Sequence, residues 1–196
     1  MKKLAMTIAF AATLFGAPTS WAAPVTFSAP LSGAAEAPPN ASPGTGMATV
    51  IFDLVAHTME IHALFADLLG TTTASHIHCC TVVPDSGTAG VATQTPSFTG
   101  FPLGVTSGSY DHLFDMSLAS SYRAGFITAN GGTPASAEAA LYAGMRDNKS
   151  YFNIHTSAFG GGEVRGFLHE VPEPGSLALL AVGLSAIGLS RRKRVA

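Results

Sequence analysis

Between its two apolar ends this chain is a succession of strand-length runs closed by glycine, proline or asparagine, and that punctuation limits the fold more than any other feature. The runs read PVTFSAPL, GMATVIFDL, TMEIHALFADL, TTTASHIHC, SYDHLFDMSL, SYFNIHTSA and GEVRGFLHEV, each rich in β-branched and aromatic residues. Such side chains suit a pleated, half-buried surface. The intervening APPNASPGTG, VVPDSGTAG and FGGG carry turn chemistry. Gly160, Gly161 and Gly162 let the chain reverse tightly, so the last two runs form a natural hairpin. In the final run Glu163, Arg165 and Phe167 share one face, and Val164, Gly166 and Leu168 share the other, the expected core face. One stretch differs: TPASAEAALYAGMRDNKS offers Thr133 or Ser136 as an N-cap and places Ala140, Leu141 and Met145 at helical spacing, which predicts a single helix of about ten residues. Many short strands and one short helix predict an all-β fold, an antiparallel Greek-key sandwich or barrel.

The ends are read as targeting segments with apolar helices. The N-terminus has two lysines, an apolar run from Leu4 to Ala17, and Ser20 and Ala22 three residues and one residue before a cut. That pattern makes residues 1–22 a secretory signal peptide for signal peptidase. The other end runs Pro172, Glu173, Pro174, then an apolar segment from Gly175 to Ser190, then Arg191, Arg192, Lys193 and Arg194. As a helix its 16 residues span about 24 Å, short of the roughly 30 Å hydrocarbon core, so it is a short transmembrane anchor with its basic cluster held inside. Residues 171–196 resemble the PEP-CTERM sorting signal of Gram-negative bacteria. The resemblance implies that an exosortase, a membrane cysteine peptidase, cuts near Pro-Glu-Pro, and that an inner-membrane-anchored precursor becomes a cell-surface or extracellular protein. The competing reading is an ordinary tail anchor.

About 150 residues remain between the signals, enough for one domain with a real core. Within them Arg123, Arg146, Lys149 and Arg165 stand against eleven acidic residues, a net charge of −7 that the whole-chain value of −2 conceals. Nucleic-acid binding needs clustered cations and is excluded as a role.

Four blocks of this core occur in a recognisable order: LSGAAEAPP (31–39) followed by GTGMATV, TASHIH (73–78), YFNIHT (151–156) and GGEVRGFL (161–168). Together they resemble the CHRD domain, named after chordin and frequent in secreted bacterial proteins. The resemblance implies a secreted β domain over residues 23–170, immunoglobulin-like or superoxide-dismutase-like in build, and brings no established enzymatic activity. Two positions depart from the family pattern: Cys79 replaces the glycine that usually follows the His-Ile-His block, and Phe167 stands where a polar residue is common.

HIHCC (76–80) is the densest cluster of chemistry. On a strand His76, His78 and Cys80 share a face. Alternating histidines place two imidazoles on one ion in the copper strand of Cu/Zn superoxide dismutase, an analogy of geometry only, because that enzyme's bridging histidine and ligand spacing are not recognisable here. Further ligands would come from His155, Glu163 or Cys80, and the donor set suits Zn or Cu. The alternative makes the histidines hydrogen-bonding members of a polar seam. Cys79 and Cys80 are the only cysteines, and a bond between them needs a turn at the strand end. In an oxidising compartment that vicinal disulfide stands ahead of free thiols or pairing with another chain. No G-x-S-x-G, H-E-x-x-H or C-x-x-C sequence is present, so no catalytic motif is recognised.

These observations predict a non-enzymatic binding or structural module at the cell surface or in the extracellular matrix, partnered by polysaccharide or matrix proteins and in contact with the membrane only transiently. The competing reading is a metal-binding domain or metalloenzyme built on the His-x-His strand.

Overall fold

A computed structural model describes residues 23–172 and Gly183. The expected signal peptide, the expected apolar anchor apart from Gly183, the basic cluster of the C-terminus, Glu173 and Pro174 lie outside these residues. Among the described residues no helix is long and apolar enough to cross a membrane.

All seven expected runs form strands. They are β1 (Val25–Ser32), β2 (Thr45–Asp53), β3 (Thr58–Ala66), β4 (Thr72–His78), β5 (Gly108–Asp115), β6 (Tyr151–Thr156) and β7 (Val164–Phe167), with a two-residue β8 (His169–Glu170) continuing β7 alongside β1. The order across the sheet is β4-β6-β7-β1-β2-β3-β5, every pairing is antiparallel, and the sheet curls into a half-barrel. The hairpin of β6 and β7 turns at Gly162, whose φ of 131° no other residue type adopts without strain.

Alternation fills the barrel from one side. Phe27, Ala29 and Leu31 of β1, Val50 and Phe52 of β2, Met59 and Ile61 of β3, and Val164 and Leu168 flanking Gly166 are buried together, so the face expected to be the core is the core. The helix is longer than the ten residues expected. A six-residue helix α1 (Ala124–Ala129) precedes α2 (Pro134–Arg146), in which Thr133 caps the end and Ser136 returns the bond, so both N-cap candidates serve in one capping box. Helix α2 turns Ala137, Leu141 and Met145 inward and sets Tyr142 against Phe27 and Phe52.

The second face of β4, β6 and β7 is also covered, although most of its residues are polar. Five of the six residues of β6 are buried, the pattern of a strand with both faces packed. The cover is the long connection between β4 and β5, which follows the edge of β4 through Cys79 N–H to Gly90 O, Ala92 N–H to Ile77 O and Phe98 N–H to Ser75 O. This cover turns an outward polar row into an enclosed site.

Candidate metal centre

Strand pairing assembles the histidines. His76 lies opposite Asn153 and His78 opposite Tyr151, while His155 pairs with Ala74 one step along β6. Because side chains alternate, the three rings fall on the covered face. Ring centroids are 5.2 Å apart for His76 and His155, 5.8 Å for His78 and His155, and 5.9 Å for His76 and His78. One nitrogen from each ring lies within 4.8 Å of the other two.

Each ring is held by one nitrogen only. His76 Nε2 bonds the Pro96 carbonyl at 2.7 Å, His78 Nδ1 the Ala89 carbonyl at 2.9 Å, and His155 Nδ1 the Gly160 carbonyl at 3.0 Å. A carbonyl accepts only, so each of these nitrogens carries the proton and the other carries a lone pair. Those others, His76 Nδ1, His78 Nε2 and His155 Nε2, are buried and have no hydrogen-bond partner among the described residues. Outer-sphere carbonyls of this kind orient metal-bound histidines and fix their tautomer.

Electrostatics keep the rings neutral. Burial lowers the affinity of all three for a second proton, most for His78, whose pKa falls from 6.5 to about 4. The carbonyl bonds act in the opposite direction and are outweighed. Neutral imidazole is the form that ligates a metal.

The flanking groups lock the site. Tyr151 stacks on His78 at 4.8 Å with the rings 6° from parallel, and its hydroxyl meets the backbone of Ala89, the residue that holds His78. The Arg165 guanidinium lies 4.6 Å over Tyr151 and donates to the Ala35 and Gly87 carbonyls at 2.6 and 3.0 Å. Its acidic neighbour is Glu36 at 3.8 Å, not Glu163. Burial pushes the Glu36 carboxyl up to about 7, with Arg165 acting in the opposite direction.

The two remaining candidate ligands are not brought to the cluster. Glu163 is fully buried, and its carboxylate accepts from Ser42 Oγ, Leu69 N–H, Gly70 N–H and Thr156 Oγ1. Burial alone would raise its pKa, but these bonds together hold it below the ordinary 4.5. It ties three segments together and has no oxygen to spare. Cys80 is bonded to Cys79, and both sulfur atoms rest against Gly144 of α2, where a Cβ would collide with them. Nothing in the sequence marked Tyr151, Arg165 and Glu36 as neighbours of the histidines; the nearest signal was the arginine among the alternating residues of the last strand.

A family model for the CHRD domain matches residues 27–168. The chain belongs to the CHRD domain family. In this CHRD domain the TASHIH block is β4, YFNIHT is β6, and GGEVRGFL supplies the turn, Glu163 and β7. Three of the blocks that identify the family therefore meet at or beside the histidine cluster. The CHRD domain is followed by a PEP-CTERM protein-sorting motif, matched over residues 170–194. That motif makes the protein an exported exosortase substrate that passes through a membrane-anchored precursor. No curated protein and no solved structure matches the chain.

Proposed function

We propose that this exported CHRD domain is a metal-binding module that holds one Zn or Cu ion on His76 Nδ1, His78 Nε2 and His155 Nε2. The observation that carries the reading is the set of three buried lone-pair nitrogens with no partner among the described residues, each on a ring anchored by its other nitrogen. Histidines serving only as a hydrogen-bonding seam would use both nitrogens, because an unmet buried acceptor costs about 1–3 kcal/mol. A tetrahedral ion at about 2.0–2.1 Å from each nitrogen needs them about 3.4 Å apart, which small ring rotations achieve from the observed spread of 4.8 Å. Three neutral imidazoles without thiolate or carboxylate suit Zn or Cu above Mg or Ca. The fourth position falls to water or an external ligand.

In this reading signal peptidase removes residues 1–22, residues 171–196 anchor the precursor, and exosortase delivers residues 23–170 to the cell surface or the surrounding matrix. There the domain acts as a non-enzymatic binding module, with polysaccharide or matrix proteins as its partners. Calorimetric titration of the untagged, chelator-stripped protein with Zn and with Cu tests the metal site. One equivalent is expected to bind, and His78→Ala and His155→Ala are each expected to weaken binding at least a hundredfold. Binding unchanged in folded single variants, or no binding to the wild type, would overturn the reading.

A further inference from the structure

A second concavity, lined by chain neighbours of His78 but by none of the three histidines, carries an inference that does not depend on the metal site. Three of the four cations of the domain have acidic neighbours: Arg146 is 3.0 Å from Glu170, Lys149 is 3.6 Å from Asp147, and Arg165 is 3.8 Å from Glu36. Among the described residues Arg123 has no carboxylate within ion-pair distance, and its guanidinium makes no hydrogen bond. In a domain of net charge −7, with four cations against eleven acids, an exposed guanidinium left without an acid is unusual.

Arg123 lines a cleft of about 360 Å³. The lining also includes the Cys79–Cys80 disulfide, Val91, Phe126, Ala129 and Asn130. Backbone bonds fix the cleft on two sides: Arg123 N–H donates to Ala92 O and Cys79 N–H to Gly90 O, both at 3.1 Å. The sulfur atoms are backed by Gly144 of α2, so the disulfide wall cannot retreat. The result is a confined hollow whose lining mixes polar and apolar groups, with Arg123 as its one positive charge.

We infer that this cleft binds a small apolar monocarboxylate, its carboxylate paired with Arg123 and its body against Phe126 and the disulfide. A guanidinium presents two parallel N–H groups that match a carboxylate. A single cation amid a net negative domain balances one negative charge, which disfavours phosphate dianions and polyanions. The volume falls at the small end of the roughly 300–1,000 Å³ range of ligand pockets, which suits one ring or a short branched chain.

Benzoate is the probe, with benzamide as its uncharged isostere, titrated into the untagged protein and followed by heteronuclear NMR shifts of residues 79–91 and 123–130. Saturable benzoate binding is expected, at least tenfold tighter than benzamide and at least tenfold weaker in Arg123→Leu. Arg123→Lys, which keeps the charge and loses the fork, is expected to fall between. His155→Ala is expected to keep full benzoate affinity, which separates this cleft from the metal reading, because neither His155 nor its partner Gly160 lines the cleft. Equal affinity for benzoate and benzamide, undiminished binding by a folded Arg123→Leu variant, or no saturable binding would overturn the proposal.

Discussion

Glu163→Gln removes one charge and changes no volume, and the hydrogen bonds around the carboxylate set the size of its effect. One oxygen accepts from Ser42 Oγ at 2.6 Å and Leu69 N–H at 2.5 Å, the other from Thr156 Oγ1 at 2.6 Å and Gly70 N–H at 3.0 Å. The amide keeps one oxygen and turns an NH₂ toward two former donors. A hydroxyl can rotate to accept from it, but a main-chain N–H cannot, so one backbone donor is left unmet. A bond to a charged group contributes about 1.5–3 kcal/mol and an orphaned buried donor costs about 1–3 kcal/mol, so the variant is expected to lose about 3 kcal/mol. With a urea m value of about 1.5 kcal/mol/M, the unfolding midpoint drops by about 2 M. The sign with pH follows from the carboxyl being held below 4.5 when folded. Its contribution is fully present above pH 4.5 and is lost as pH falls through the folded pKa, so wild type and variant converge in acid. Metal stoichiometry is expected to survive, because Glu163 serves the frame and not the ion. Affinity should drop severalfold, since Thr156, which Glu163 holds, adjoins His155. A variant within about 0.5 kcal/mol of wild type at pH 7 would refute the anchoring role.

Three further outcomes can be measured. Gly144→Ala drives a methyl group into both disulfide sulfurs and is expected to cost about 1–3 kcal/mol in denaturant unfolding, with most of the loss recovered when both cysteines are replaced by alanine. Glu36→Gln removes a carboxyl whose pKa rises from 4.5 unfolded to about 7 folded. The wild type loses stability as pH rises through that window, so the amide variant should gain up to about 2 kcal/mol by pH 8, after allowance for solvent screening, and no gain at pH 4.5. Deleting residues 172–196 should abolish exosortase processing and misplace the protein in cell fractionation; unchanged processing would refute the sorting role.

The strands were legible because their signals are local. Period-two alternation in residues such as Val164, Gly166 and Leu168 and the glycines of the last turn state the pairing and the core face directly. Thr133 and Ser136 likewise announced the start of α2, though the six-residue α1 had too few periodic positions to declare itself. The histidines could be named from the alternation of His76 and His78 and from His155 in a second family block. What could not be read was their environment. The carbonyls of Ala89 and Pro96 come from a connection with no periodic pattern, and they reach the rings only because that segment folds back over β4. Glu163 shows the same limit: alternation placed it on the polar face beside the candidate ligands, and only tertiary contacts with Ser42, Leu69 and Gly70 reveal that its oxygens are already engaged.

The most direct test of the metal site is an anomalous difference map from crystals of the untagged protein grown with zinc, measured above and below the zinc edge. The account expects one peak about 2.0–2.1 Å from His76 Nδ1, His78 Nε2 and His155 Nε2, with the opposite nitrogens still bonded to Pro96, Ala89 and Gly160. A map with no peak there, and those three nitrogens bonded instead to water or to other protein groups, would contradict it.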